Sequence, residues 1–142
     1  MKHYRTTYKK YKGHAKTDAV RSIECAFCDP SAIEEIIKET DTVRVVRNRV
    51  KYDMFDGDRV VDHLMVIPKA HRASVGEFTD QELLDSFRIA GEYEEQGYGI
   101  YARGKGAATR SIEHQHTHLM KLANRPAKFI LYSHRPYFLF DR

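Results

Sequence analysis

Cysteine is scarce in this sequence: 142 residues include only two, too few for a disulfide scaffold. No apolar run approaches the roughly 18 residues that a membrane helix needs. The basic N-terminus has no apolar stretch behind it, so no secretory signal is expected. No internal repeat or low-complexity linker divides the chain. What remains, 42% apolar and 31% charged residues, is the composition of one globular domain long enough to bury a core. A cytoplasmic protein with no membrane contact is the expectation.

The formal net charge is +4, which invites a polyanionic partner. Its distribution argues otherwise. Residues 1–24 carry seven Lys/Arg against two Asp/Glu, and residues 121–142 carry five against one. The centre, 25–120, holds twelve basic and seventeen acidic residues and is therefore acidic. The first 24 residues interleave cations with Tyr4, Tyr8 and Tyr11 and have almost no aliphatics. Such a segment cannot offset its own ordering entropy by burial, so a mobile or docked arm is expected. Phosphate contact and base stacking on nucleic acid are open to it; a solubilising tail is the plainer role.

Local patterns give an α+β reading. Ser31 and Glu34 fit a capping box that opens a helix over 31–39, with Ile33, Ile36 and Ile37 on one face. A β-rich run starts at Val43, a turn follows at Asp56-Gly57, and residues 60–67 form a second strand stopped by Pro68. Thr79 and Glu82 make another capping box. The helix it opens carries Leu83, Leu84, Phe87, Ile89, Ala90 and Tyr93 as a buried stripe and ends at Gly97. Further strands are expected over 98–102, 114–121 and 129–132. The sum is an antiparallel sheet of about five strands with two helices.

The most informative stretch is His114-Gln115-His116-Thr117-His118. Side chains on a strand repeat every two residues, so three imidazoles face one side. Polar rings in a row are costly to bury without partners. Such a row serves catalysis, metal binding or both: imidazoles ligate Zn²⁺, and a neutral imidazole attacks phosphorus while its neighbours fix the tautomer. Spacing alone does not choose between these.

The row resembles the signature of the histidine triad (HIT) superfamily of nucleotidyl hydrolases and transferases. Three other blocks agree in order. Cys25-Ala26-Phe27-Cys28 matches the Cys-x-x-Cys of the zinc-bearing branches, the block from His63 through Ile67-Pro68-Lys69 to His71 matches a family strand, and residues 103–111 stand in place of a Gly-rich loop. The resemblance spans about 25–121, leaving 1–24 as an arm and 122–142 as an apolar, aromatic segment packed on the domain or on a dimer partner.

The resemblance implies a HIT-like fold and an enzyme that cleaves at the α-phosphate of a nucleotide, of the nucleoside phosphoramidate or dinucleoside polyphosphate type. His116 would be the nucleophile and form a nucleotidyl-histidine intermediate. His118 and Ser111 would complete the catalytic set, with His63, Arg103, Lys105 and Arg110 binding substrate. It also implies a structural zinc on Cys25, Cys28, His71 and His114, and a homodimer. Val43, Val45 and Phe55 are candidates for base and ribose contact. Two alternatives stay open. One is a metal-dependent hydrolase with zinc held by His114, His116 and His118. The other is a catalytically weak HIT-like module that binds nucleotide or RNA.

Overall fold

The computed structural model describes residues 24–126, 129–132 and 137–140, together with Lys9 and Gly13. The N-terminal arm proposed for 1–24 lies outside the described residues apart from these few positions. The chain forms β1 (Ile36–Glu39), β2 (Val43–Arg47), β3 (Met54–Phe55), β4 (Asp58–Pro68), α1 (Asp80–Glu94), β5 (Tyr98–Ala102), β6 (Thr117–Leu122), β7 (Phe129–Tyr132) and β8 (Tyr137–Phe140). The main sheet runs β1-β2-β4-β6-β5, with β3 added on β4, and every pairing is antiparallel. β7 and β8 form a separate antiparallel hairpin.

The architecture is α+β as expected, with six strands in the main sheet and one α-helix among the described residues. The helix expected over 31–39 is absent. A single 3₁₀ turn, Pro30–Ala32, is capped by Asp29, whose carboxylate accepts the Ser31 N–H at 2.8 Å. The chain then extends into β1. Asp29 starts the turn two residues before the assumed cap, and three β-branched isoleucines favour the extended chain that edge pairing with β2 offers. Ile36 and Ile37 are exposed there.

The second capping box forms as read. Thr79 Oγ1 accepts the Glu82 N–H at 3.2 Å, and Glu82 Oε2 accepts the Thr79 N–H at 2.7 Å. Gly97 adopts φ +84°, a left-handed conformation that glycine takes without Cβ strain. The buried stripe is narrower than expected. Ile89 and Ala90 face the sheet, whereas Leu84 is exposed and Phe87 is 73% exposed. Glu82, Asp85 and Ile89, spaced by three and four, define the buried face. Position 87 falls on the opposite side. Asp85 is buried because its carboxylate accepts from Thr40 Oγ1 at 2.8 Å, Thr42 Oγ1 at 2.6 Å and Gln81 Nε2 at 2.7 Å, fastening α1 to the β1–β2 turn.

β4 is central, and its last six residues are all buried. Alternation sorts them. Leu64 and Val66 join Val43, Val45, Ile89, Ala90 and Leu119 under the helix. Met65 and Ile67 turn to the other face, where Phe27 and Val46 cover them. His63 shares parity with Met65, and Met65 pairs with His118. The histidines of β4 and β6 therefore lie on the face opposite the helix. Val43 and Val45 sit under the helix, away from that face, which removes them as base or ribose contacts.

Candidate active site

The pairing of β6 begins at Thr117, so His114 and His116 precede the ladder on an extended approach and His118 lies within it. The backbone of that approach is held from outside. Gln115 N–H donates to Arg72 O at 2.6 Å. Arg110 donates to the carbonyls of Ala73 at 2.8 Å, Ile112 at 3.1 Å and Glu113. Its guanidinium thus clamps the loop that enters the histidine row. Lys105 pairs with Glu77 at 3.2 Å on the surface, and Ser111 is exposed. Arg103 is buried and lies over the Tyr52 ring, 5.7 Å from its centroid. The three cations of the loop therefore occupy three environments, and Arg103 is the one buried at the histidine face.

His116 is 8% exposed. Its Nδ1 lies 2.8 Å from the His114 carbonyl, which can only accept. The ring proton is therefore on Nδ1, and Nε2 keeps its lone pair. Burial, with Arg110 and Arg103 nearby, lowers the His116 pKa, and the bond to His114 acts the other way. The ring is thus a neutral imidazole with an available nitrogen. Phe27 packs edge-on against it, ring centroids 5.1 Å apart, and His118 lies edge-on at 4.9 Å.

His118 is more deeply enclosed. Its Nδ1 is 2.9 Å from His63 Nε2, and its Nε2 is 3.2 Å from the Tyr52 hydroxyl. Burial pushes its pKa far down, with His116, His63 and Arg103 adding to the effect, so it too is neutral. Tyr101 stacks on it at 6.0 Å, and Phe55 packs on Tyr101 at 5.2 Å. Sequence reasoning put His63 among the substrate contacts. In the fold it lies under His118 and is itself 1% exposed. Nothing in the sequence marks Asn48 and Tyr52, because only the fold shows that they touch His63 and His118.

His114 faces elsewhere. Its Nε2 donates to the Pro68 carbonyl at 3.0 Å, which leaves Nδ1 unprotonated. That Nδ1 is 3.5 Å from Cys25 Sγ and 3.3 Å from Cys28 Sγ, and His71 Nδ1 is 3.3 Å from Cys28 Sγ. The two thiols converge because residues 25–29 form a tight turn, with Cys28 and Asp29 N–H groups both donating to Cys25 O. All four donor atoms lie within 4.8 Å of one another. Tetrahedral bond lengths to zinc, about 2.3 Å for sulfur and about 2.0 Å for nitrogen, put neighbouring S and N atoms about 3.5 Å apart. The donor set fits such an ion. Its chemistry agrees: desolvation and the adjacent Cys25 push the Cys28 thiol up to about 11, a cost that a dication at the centre removes. The Pro68 carbonyl is the outer partner that a ligating imidazole ordinarily has. Cys25, Cys28, His71 and His114 are therefore a group that could hold a metal ion.

No family model matches this sequence, and no curated protein matches it. Solved structures do. A HIT family hydrolase from Clostridium thermocellum superposes with a TM-score of 0.56 at 23% identity, over 76% of this chain and 98% of its own. A HIT family protein from Bacillus anthracis gives 0.56 at 18% identity, over 79% and 84%. A histidine triad nucleotide-binding protein from Candida albicans gives 0.53 at 19% identity, over 83% and 87%. Among the described residues no helix is long and apolar enough to cross a membrane. With His114, His116 and His118 entering β6, beside the central β4 of the sheet, the chain has the fold of the histidine triad proteins.

Proposed function

We propose that this protein is a nucleotidyl hydrolase that uses His116 as a covalent nucleophile. One observation carries the reading: the His116 Nδ1–H is tied to the His114 carbonyl at 2.8 Å in a buried setting, so Nε2 is an unprotonated nucleophile in a fixed direction. Nε2 attacks the α-phosphorus of a nucleoside phosphoramidate or dinucleoside polyphosphate. The bond from phosphorus to the leaving group breaks as the P–N bond forms; a polyphosphate departs as its anion, and an amine departs with a proton taken from solvent. Water then attacks the same phosphorus and gives its proton to solvent, the P–N bond breaks with its electron pair returning to Nε2, and the nucleoside monophosphate leaves. His118 supplies a hydrogen bond to the phosphoryl group or leaving group, and Arg103 adds positive charge where negative charge gathers. Ser111 and Lys105 are assigned to the phosphate or leaving group of the substrate, and Arg110 acts through the loop it clamps.

The metal set is zinc on Cys25, Cys28, His71 and His114. A closed Cys₂His₂ site has no open position for substrate, so the ion serves structure. It joins the segment that carries Phe27 to the residue whose carbonyl orients His116. The alternative of one zinc held by His114, His116 and His118 finds no support in the geometry. His114 Nδ1 faces two sulfurs, His116 Nδ1 is bonded to a carbonyl, and His118 bonds through both ring nitrogens. Two cysteines that form no disulfide suit a reducing compartment, and we propose a cytoplasmic location. A homodimer fits β5, the edge of the main sheet among the described residues, where Ile100 is 50% exposed and Tyr101 is also exposed; light scattering should return twice 16.6 kDa.

The test is turnover of adenosine phosphoramidate, diadenosine polyphosphates and nucleotide sugars by wild type and His116→Ala. The expected result is release of nucleoside monophosphate by wild type alone. Equal turnover by both refutes the assignment.

A further inference from the structure

Tyr52 belongs to none of the motifs, yet it touches the histidine face twice. Its backbone N–H donates to His63 Nδ1 at 3.1 Å, and its phenol oxygen lies 3.2 Å from His118 Nε2. Between these two contacts runs the 2.9 Å bond from His63 Nε2 to His118 Nδ1. The direction of every bond follows from the first. A backbone N–H can only donate, so His63 Nδ1 accepts. Val50 N–H donates to Asn48 Oδ1 at 3.1 Å, which turns the amide nitrogen toward the His63 ring, 3.3 Å from Nδ1 and 3.2 Å from Nε2, so Asn48 does not distinguish the two ring nitrogens and the Tyr52 N–H decides. With the Tyr52 N–H aimed at Nδ1, the His63 proton is on Nε2 and is given to His118 Nδ1. The His118 proton is then on Nε2 and is given to the Tyr52 oxygen. One residue is both the first donor and the last acceptor of a closed circuit through two imidazoles.

We propose that Tyr52 is a positioning residue that holds His118 as a neutral Nε2–H donor aimed at the reaction centre, its phenol oxygen filling the place that a phosphoryl or leaving-group oxygen of the substrate takes over. The proposal rests on the reading of His116 as the nucleophile. Only Nε2 of His118 is turned away from His63, so a substrate oxygen bonded to His118 must displace or share the phenol oxygen. The circuit also defines what His118 contributes. If it released its Nε2 proton it would need one from His63, and His63 Nδ1, which accepts the Tyr52 N–H, holds none to pass inward. His118 therefore offers a hydrogen bond and not a proton. The surrounding packing keeps the phenol in place: the Tyr52 ring is 4.4 Å from the His63 ring and 5.2 Å from the His118 ring, centroid to centroid, and carries Arg103 on its face.

Tyr52→Phe keeps the ring, its packing and the backbone donor, and removes the hydroxyl that accepts from His118. In wild type, ¹⁵N imidazole spectra should show both His63 and His118 as Nε2–H tautomers. In Tyr52→Phe the His118 Nε2 signal should shift while its Nδ1 stays unprotonated. With adenosine phosphoramidate or a diadenosine polyphosphate, kcat should fall about ten-fold, the scale of one hydrogen bond. KM should stay level or fall, because the substrate oxygen no longer competes with the phenol. An Nδ1–H tautomer at His118 in wild type overturns the proposal. So does a Tyr52→Phe enzyme with unchanged kcat, or with KM raised alone. The spectra stand apart from turnover, so an active His116→Ala would sink the nucleophile reading and leave the circuit to be judged by its tautomers.

Discussion

Cys25→Ser tests whether the four-donor cluster holds a metal and whether that metal matters to the histidine row. The S–N separations of 3.3, 3.3 and 3.5 Å differ from those around a tetrahedral zinc by about 0.2 Å or less. An ion can therefore enter with little movement, and its binding energy appears as stability of the fold. At a free concentration one hundred times its dissociation constant, such an ion stabilises by about 2.7 kcal/mol. With an unfolding entropy of roughly 2.1 cal/mol/K per residue, that amounts to about 9 °C in Tm for a chain of this length. The ion should also reach the chemistry, since the residue that offers Nδ1 to the cluster offers its carbonyl to His116. Three measurements form the assay: metal content by elemental analysis after purification without chelators, Tm by scanning calorimetry with and without chelator, and kcat. Wild type should carry one zinc per chain and lose about 9 °C on chelation. Cys25→Ser should carry none, start at the lower Tm and not respond. A metal-free wild type, or the same chelator response in both proteins, would refute the reasoning.

Two further outcomes concern the frame that carries the site. Ile67→Ala removes a side chain with no exposed surface from the cluster around Phe27 and Met65; urea titration should show a loss of about 2–5 kcal/mol with an unchanged m-value. The hydroxyls of Thr42 and Thr40 hold the Asp85 carboxyl below the ordinary range. A carboxyl whose folded value is depressed stabilises above its unfolded pKa of about 3.9 and loses that contribution as pH falls through the folded value. The Tm gap between wild type and Asp85→Asn should therefore be full at neutral pH and shrink below about pH 4; a gap that is constant with pH would contradict this.

Much of this molecule is legible before folding, because its signals are local. The Thr79–Glu82 capping box, the positive φ at Gly97, the apolar run over 60–67 that becomes part of β4 and the two-residue rhythm of the histidines each depend on neighbours in sequence. The 31–39 segment misled for the same reason: Ser31 and Glu34 satisfy a local pattern, but Asp29 takes the capping role and the sheet edge claims the isoleucines. Leu84 and Phe87 show the limit of counting apolar residues, since the face of α1 is decided by Asp85 and its three hydrogen bonds. The deeper part of the site was hidden. Tyr52 meets His118 across 66 positions and Asn48 meets His63 across 15, and no spacing rule connects residues joined only by strand register. Arg110 reads as a loop cation like its neighbours, and only the fold shows its guanidinium on three carbonyls.

The central claim is that His116 Nε2 forms a bond to phosphorus. The most direct measurement is rapid acid-free quenching during turnover of a diadenosine polyphosphate, followed by intact-mass and peptide analysis. The account predicts a transient nucleotidyl adduct on the peptide that bears His116, absent in His116→Ala and cleared as substrate is exhausted. Full turnover by wild type with no adduct at any time, or an adduct on another residue that persists in His116→Ala, would contradict it.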